Sequence, residues 1–478
     1  MNILFVIAEA TPWVKVGGLG DVGGELPAAL RRLGHDVRVF LPAYPGSSLA
    51  RGDPLLRVDL TRGGETLAAG VFESSSPYGP VYAVDGDPIR WAYGVYGDPM
   101  VDAEKFLFWS TASLNACRAM DWRPDIVHAH DWHGALALVR LHSLRQHEPF
   151  WARTAGVLTI HNLGYLGAGS EALWSVYGVT PLAPDDLPEW ASTLPLPQGM
   201  AAAERITTVS PTHALEIQTP AFGFGLDAFI SARASRLRGI LNGLELSSWN
   251  PWRDSAIGTH YSAGRLAPRD KNKAALQREL RLPEESATPL LAFIGRLEMQ
   301  KGIDLALGAL GTRFSTRWQF VMLGAGRWDL AREASGFATA HAGRARFLER
   351  HDPALSRRIY AGADLMLVPS RYEPCGLVQM IAMRYGCIPV VNGTGGLLDT
   401  VVDIAQPEGT GFVFDTPEAE ALGQAIDRGL QTYRDKRRWR ALQRRAMAQD
   451  HSWESSARAY VDLYKAARRE RASIGEWP

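Results

Sequence analysis

The chain has 478 residues, with 46% hydrophobic content and 51 Lys+Arg set against 51 Asp+Glu. That length exceeds one ordinary core and implies two large domains, while the zero formal charge excludes the basic footprint of a nucleic-acid or anionic-membrane binder. Its three cysteines, Cys117, Cys375 and Cys387, match neither a zinc ribbon nor a disulfide framework. That scarcity, with no apolar run approaching the ~18 residues of a membrane span, places the protein in the cytoplasm or a similarly reducing lumen.

The apolar run Ile3 to Ala8 predicts a first strand, since Glu9 arrives too soon for a signal peptide's apolar region. Lys15-Val16-Gly17-Gly18-Leu19-Gly20-Asp21-Val22 follows it. Glycine lets backbone approach an anion closely, and lysine neutralises the charge. Leu26, Ala29, Leu30 and Leu33 keep helical spacing, and Asp36 to Leu41 predicts the next strand. Gly18, Gly20 and Gly23 formally match a dinucleotide fingerprint. The first glycine comes well after the strand, however, and the second strand ends Arg38-Val39-Phe40-Leu41-Pro42 without a carboxylate for a ribose. Both features count against nicotinamide binding.

Further strands are predicted at Asp125 to His128, Gly156 to Ile160, Ile206 to Val209 and Gly239 to Leu241. His128-Ala129-His130-Asp131-Trp132-His133 places residues 128 and 130 on one side of a strand, as metal ligands could be. No partner set completes such a centre, so the favoured reading is a strand end lining a sugar-sized pocket, with one or two histidines in the core. His161-Asn162-Leu163-Gly164-Tyr165 again follows an apolar strand, and His161 is equally open to a structural or a functional role.

Asn242 to Arg269 carries turn residues and little periodicity, which predicts the hinge. The pattern then restarts. Leu290 to Ile294, Gln319 to Leu323, Ala363 to Val368 and Ile388 to Val391 read as buried parallel strands. Gly295-Arg296-Leu297-Glu298-Met299-Gln300-Lys301-Gly302 follows the first of these, a second glycine-and-cation loop. Two such half-sites imply a phosphorylated ligand gripped between two domains. Arg371-Tyr372-Glu373-Pro374-Cys375-Gly376-Leu377 opens a helix, with Gly376 and Leu377 directing backbone N–H groups at an anion and Glu373 at sugar hydroxyls. Thr394-Gly395-Gly396-Leu397 is a third turn of this kind. From Asp415 onward the chain is mostly helical. Arg434 to Arg445 reads as a solvated face, and Trp453, Ala457, Tyr460, Val461 and Tyr464 as a packing stripe.

This ordered set resembles the bacterial glycogen synthase and plant starch synthase family over essentially the whole chain. The resemblance is carried by Lys15-Val16-Gly17-Gly18-Leu19, His128 to His133, His161-Asn162-Leu163, Thr208-Val209-Ser210-Pro211-Thr212, Gly239-Ile240-Leu241-Asn242-Gly243, Arg296-Leu297 with Gln300-Lys301-Gly302, and Glu373-Pro374-Cys375-Gly376-Leu377. It implies an α/β glycosyltransferase-B fold, two Rossmann-like domains with parallel sheets facing across a cleft. Residues 1–241 would form the acceptor-side domain, joined by a C-terminal helix at 452–478, and 242–451 the nucleotide-sugar domain. It also implies transfer of glucose from ADP-glucose to the non-reducing end of an α-1,4-glucan, with retention, without metal or other cofactor.

By the same resemblance Arg296 and Lys301 are the pyrophosphate clamp, with Lys15 reaching the donor from the opposite domain and Asp21 orienting Lys15. Gly18, Gly376, Leu377, Thr394 and Gly395 would supply backbone contacts, with Cys375 in the same loop. His161, Asn162, Asn242, Asp131 and Glu373 would surround the transferred glucose.

Several positions depart from the family pattern. Leu166 stands for a usual Gln, Leu194-Pro195-Leu196-Pro197 for an Asn-aromatic-Leu-Lys stretch, and Asn392-Gly393 for one or two arginines. His351 takes the place of a tyrosine near the nucleobase. These changes bear on acceptor handling, base selectivity and rate. They keep two alternatives open: a related retaining transferase using another nucleotide sugar or a short acceptor, and a glucan-binding paralogue without turnover.

Overall fold

The computed structural model describes residues 1–473 apart from positions 77 and 314. Residues 474–478, the end of the expected C-terminal helix, lie outside the described residues. The chain divides into two compact units, Met1–Gly243 with Trp453–Pro478, and Leu244–Ser452.

The first unit is built on a nine-stranded sheet. Its strands are β1 (Asn2–Val6), β2 (Asp36–Pro42), β3 (Leu56–Arg62), β4 (Glu65–Ser74), β5 (Val81–Asp85), β6 (Ile126–His130), β7 (Ala155–Ile160), β8 (Arg205–Thr208) and β9 (Leu237–Gly239). They run in the order β3-β4-β5-β2-β1-β6-β7-β8-β9. The central strands are buried along nearly their whole length, as expected where helices cover both faces. The sheet is not wholly parallel. β3 pairs antiparallel with β4, and β4 with β5, because β3 alternates buried and exposed residues and so needs cover on one face only.

The second unit holds β10 (Leu290–Ile294), β11 (Gln319–Gly324), β12 (Ala345–Glu349), β13 (Leu365–Val368), β14 (Ile388–Asn392) and β15 (Phe412–Phe414). All pair in parallel, in the order β12-β11-β10-β13-β14-β15. In the parallel part of each sheet the order reverses at one place: between β1 and β6, and between β10 and β13. Open α/β sheets bind ligands at that switch, beyond the carboxyl ends of the strands.

The helix Trp453–Ser473 belongs to the first unit. Trp453, Ala457, Tyr460 and Tyr464 are buried in its core and Val461 packs beside them. Trp453 Nε1 donates to Glu25, and the Tyr464 hydroxyl meets His128 Nδ1 at 2.8 Å. In the helix Lys436–Met447, Trp439, Leu442 and Ala446 face inward, whereas Lys436, Arg437 and Arg438 lie in solvent. No described helix is long and apolar enough to cross a membrane.

Candidate functional site

At the switch point of the first sheet, the chain leaving β1 reaches Glu9, which is 3% exposed. Its Oε2 accepts the backbone N–H groups of Val16 (2.6 Å) and Gly17 (2.9 Å), and its Oε1 accepts the Tyr96 hydroxyl at 2.7 Å. This carboxylate therefore sets the path of the Lys15 loop. Lys15 itself is half-exposed and pairs with Asp21 at 2.6 Å. Burial raises the Asp21 carboxyl above its ordinary range, and Lys15 opposes that rise. Gly18 opens the helix Gly18–Arg32, whose Gly17 cap supplies no side chain. Behind it a Cβ at Gly20 would lie 3.0 Å from Lys15 Cγ and one at Gly23 2.1 Å from Glu9 O, so these two glycines of the apparent dinucleotide fingerprint serve to pack helix against loop.

Across the switch, β6 runs straight into the helix Asp131–Arg145 through Asp131, which sits at φ 51°. A non-glycine residue at positive φ is uncommon, and such strain concentrates at functional sites. Asp131 Oδ1 accepts from the N–H groups of His161 (2.7 Å) and Asn162 (3.3 Å), tying the end of β6 to the turn after β7. Burial pushes the Asp131 carboxyl up to about 7; the two N–H groups pull against it and Glu9 adds to it.

His161 Nε2 meets His130 Nδ1 at 2.9 Å. Burial pushes His161 down to about 3 and His130 well below its usual value, so this is a pair of neutral rings. His128 is a core residue, bonded to Thr159 Oγ1 at 2.7 Å as well as to Tyr464. Among the described residues no group of three or more His, Cys, Asp or Glu is placed to hold a metal ion. Asn242 follows β9 and is buried, and its Oδ1 has no hydrogen-bond partner among the described residues.

In the second unit the loop after β10 is knitted to the loop after β13, again across the switch. Lys301 Nζ donates to Glu373 Oε2 at 2.6 Å, and Ser370 Oγ donates to the same oxygen at 2.9 Å. Arg371 donates to Met299 O and forks onto Asp304, while its backbone N–H reaches Gln300 O. Gly302 has φ 70°, and a Cβ there would meet Pro369 O at 2.2 Å, so only glycine lets the two loops approach this closely. Arg296 is exposed, and its side chain has no hydrogen-bond or ion-pair partner among the described residues. It is thus a cation held at a strand end and open to solvent.

Gly376 (φ 75°) and Leu377 lead into the helix Val378–Arg384. Gly396 N–H donates to Glu373 O and Pro374 O, which brings Thr394 and Gly395 beside residues 373–376. Buried Gln379 braces the turn by donating to the carbonyls of Cys375 and Gly376. Cys375 is buried in this loop. His351 is exposed beyond the end of β12, two strands from β10. Asn392 is buried and donates to Ser370 O at 2.9 Å. Leu166 and the altered segment at 194–197 prove to be neighbours: Leu196 N–H donates to Leu166 O at 3.0 Å.

Reading by motif missed Glu9, Tyr96 and Ser370. Glu9 carried a usable signal, a carboxylate directly after the first strand and six residues before a lysine loop. Tyr96 lies in an aperiodic stretch and carried none. Removing the Glu9 carboxylate by Glu9→Ala is expected to speed hydrogen exchange at Val16 and Gly17 about tenfold or more, because each gives up a hydrogen bond to a charged acceptor, worth about 1.5–3 kcal/mol. Glu9→Gln keeps an acceptor and should exchange nearly as the parent does. Equal protection in all three proteins would refute this role.

Residues 2–232 match the starch synthase catalytic domain family, and residues 275–445 the glycosyl transferases group 1 family. Glycogen synthase 2 of Geobacter sulfurreducens is 40% identical over 482 residues, spanning 98% of this chain and 100% of the relative. Glycogen synthase of Anaeromyxobacter sp. (strain Fw109-5) is 42% identical, spanning 98% and 99%. The catalytic domain of Arabidopsis thaliana starch synthase IV, solved with ADP and acarbose, superimposes with a TM-score of 0.89 at 32% identity, covering 98% of this chain and 99% of that one. With two strand-end sites on two α/β units of the glycosyltransferase-B class, the chain belongs to the glycogen and starch synthase family of glucan-elongating glycosyltransferases.

Proposed function

We propose that the enzyme transfers glucose from ADP-glucose to the non-reducing end of an α-1,4-glucan, with retention of configuration and without a metal ion. The observation that carries the reading is the cation set at the second switch point, Lys301 paired with Glu373 and Arg296 open to solvent. Departure of the glycosyl group leaves an oxocarbenium-like sugar and puts negative charge on the diphosphate. Preorganised cations stabilise that charge.

On this reading residues 242–451 form the nucleotide-sugar domain and 1–241, with the C-terminal helix, the acceptor domain. Arg296, Lys301 and Lys15 neutralise the diphosphate. Gly18, Gly376, Leu377, Thr394 and Gly395 offer backbone contacts to the donor, with Cys375 closing the loop behind them and His351 toward the nucleobase. Asp131, His161, Asn162, Asn242 and Glu373 surround the glucose, and the neutral His161–His130 pair can donate to a sugar oxygen without adding charge. The cytoplasm suits the three buried cysteines, none of them in a disulfide.

Radiolabelled transfer onto glycogen and onto maltooligosaccharides tests this directly. Label should pass from ADP-glucose, in EDTA as in its absence. Incorporation from UDP-glucose alone overturns the donor, loss of transfer in EDTA overturns the metal-free mechanism, and no incorporation from either donor overturns the reaction.

A further inference from the structure

The helix Pro99–Ala119 of the first unit carries an ion pair that neither the apolar core nor the site above accounts for. Lys105 is fully buried and Asp102 is 6% exposed. An ammonium group has three N–H donors and almost never lies this deep unless they are satisfied. Here all three are. Lys105 Nζ donates to Asp102 Oδ1 at 2.6 Å, to Val95 O at 2.8 Å and to Gly94 O at 3.3 Å. The other carboxylate oxygen, Asp102 Oδ2, accepts the Gly97 N–H at 2.7 Å. The pair therefore grips the backbone at residues 94, 95 and 97.

Tyr96 is the residue left between those grips. Trp91 and Tyr93 in the same segment lie in water, whereas Tyr96 turns inward. Its ring stacks 5.2 Å from that of His133, and its hydroxyl donates to Glu9 Oε1 at 2.7 Å. Glu9 Oε2 in turn accepts the N–H groups of Val16 and Gly17. A second support reaches the same carboxylate. The Lys105 ammonium lies 5.6 Å from the centre of the Tyr44 ring, and the Tyr44 hydroxyl donates at 2.9 Å to Ala8 O, one residue before Glu9. Between Lys15 and Leu19 the loop buries no side chain, since Val16 is 60% exposed and Gly17 and Gly18 have none. The bonds to Glu9 therefore fix its course.

We propose that Lys105 and Asp102 are positioning residues for the Lys15 loop, acting through Tyr96 and Glu9. The proposal rests on the reading above in which Lys15 neutralises the departing diphosphate. A cation lowers a barrier to the extent that it is preorganised at the developing charge, and small misplacements made far from the chemistry are expensive in rate. A buried polar network with every member satisfied is rigid in the way this requires. A well-packed apolar pair of similar volume would be about as stable as the two charges. The ion pair is kept for the geometry it imposes on residues 94 to 97.

The test compares wild type, Tyr96→Phe, the clasp variant Lys105→Met/Asp102→Asn, which strands no charge, the triple variant combining them, and Arg145→Met/Glu204→Gln. The last removes another buried ion pair of the first unit, bonded at the amino end of β7, and serves as the control for lost stability. Amide exchange at Val16 and Gly17 and initial rates with ADP-glucose on glycogen are the readouts. Tyr96→Phe and the clasp variant should each speed exchange at both amides about fivefold or more. Each should lower kcat about tenfold, with KM for glycogen close to that of wild type. The triple variant should stay within about twofold of the clasp variant, because both changes act through one bond. The control should lose Tm with exchange at Val16 and Gly17 unchanged. Asp102→Asn alone, which keeps an acceptor for Lys105, should move exchange in the same direction as the clasp variant and carries the test where that variant does not fold. Wild-type exchange at the two amides in these variants overturns the proposal, whatever their Tm, and so do fully multiplicative losses in the triple variant. Faster exchange with wild-type kcat would keep the clasp and overturn the role of Lys15. Failure of wild type to transfer glucose would sink the proposed reaction, whereas exchange would still report on the clasp.

Discussion

Lys301→Ala is expected to lower kcat by about two to three orders of magnitude. A unit charge ~4 Å from a departing diphosphate is worth about 4 kcal/mol at an effective dielectric of 20, before desolvation is subtracted. Each ~1.4 kcal/mol is a factor of ten in rate. The lysine is fixed in position. Its side chain is 23% exposed, held by Glu373 at 2.6 Å and followed by the Gly302 contact with Pro369. The substitution also removes Glu373's only ion-pair partner among the described residues, leaving a carboxylate that is 7% exposed. Stability should therefore fall by about 1–3 kcal/mol. Adding Glu373→Gln removes the stranded charge, so the double variant should recover Tm while kcat stays low. Arg296→Ala separates the two effects from the other direction. Its side chain is exposed and has no partner among the described residues, so kcat should fall by the same order with Tm almost unmoved. Wild-type-like turnover in either single variant would refute the clamp.

How far such pairings could be read from the chain depends on what fixes them. β10 was legible to the residue because Leu290–Ile294 is a continuous apolar run bounded by turn residues. β3, β4, β5, β12 and β15 were not. β3 carries Arg57, Asp59 and Thr61 on its exposed side, β12 is only partly buried, and β15 is three residues long. β9 ends at Gly239 rather than beginning there, and the glycine is required because a Cβ at that position would lie 2.1 Å from Ser210 O. At the site, the cations and glycines were visible because each lies in the loop that follows an apolar strand. Their partners were not. Lys301 and Glu373 are 72 positions apart, and they meet only because β10 and β13 are neighbours in the sheet order. The same holds for the His130–His161 pair, at the ends of the neighbouring strands β6 and β7. Strand order is a property of the assembled sheet, and no local periodicity encodes it.

Asp131→Asn should raise stability at pH 8 and lower turnover, an exchange of one for the other at a strained site. Burial holds the Asp131 carboxyl at about 7 in the folded chain, against an ordinary value of 3.8. Between those values the unfolded chain releases this proton and the folded chain keeps it. The folded state binds more protons there, so stability falls as pH rises through that window. Each pKa unit is 1.36 kcal/mol, so ionising the group in place costs on the order of 4 kcal/mol at pH 8, an upper figure since the site can relax. Asparagine carries no charge to bury, keeps an oxygen for the N–H groups of His161 and Asn162, and tolerates positive φ better than most residues. Denaturant titrations should find the variant more stable by about 1–4 kcal/mol at pH 8, with the difference closing toward pH 4. Its kcat should fall about tenfold or more, because in the proposed reaction the Asp131 charge would face the developing cation. Parallel pH–stability curves for the two proteins between pH 4 and pH 8 would show that Asp131 is already ionised at little cost. The strain at φ 51° would then need another explanation.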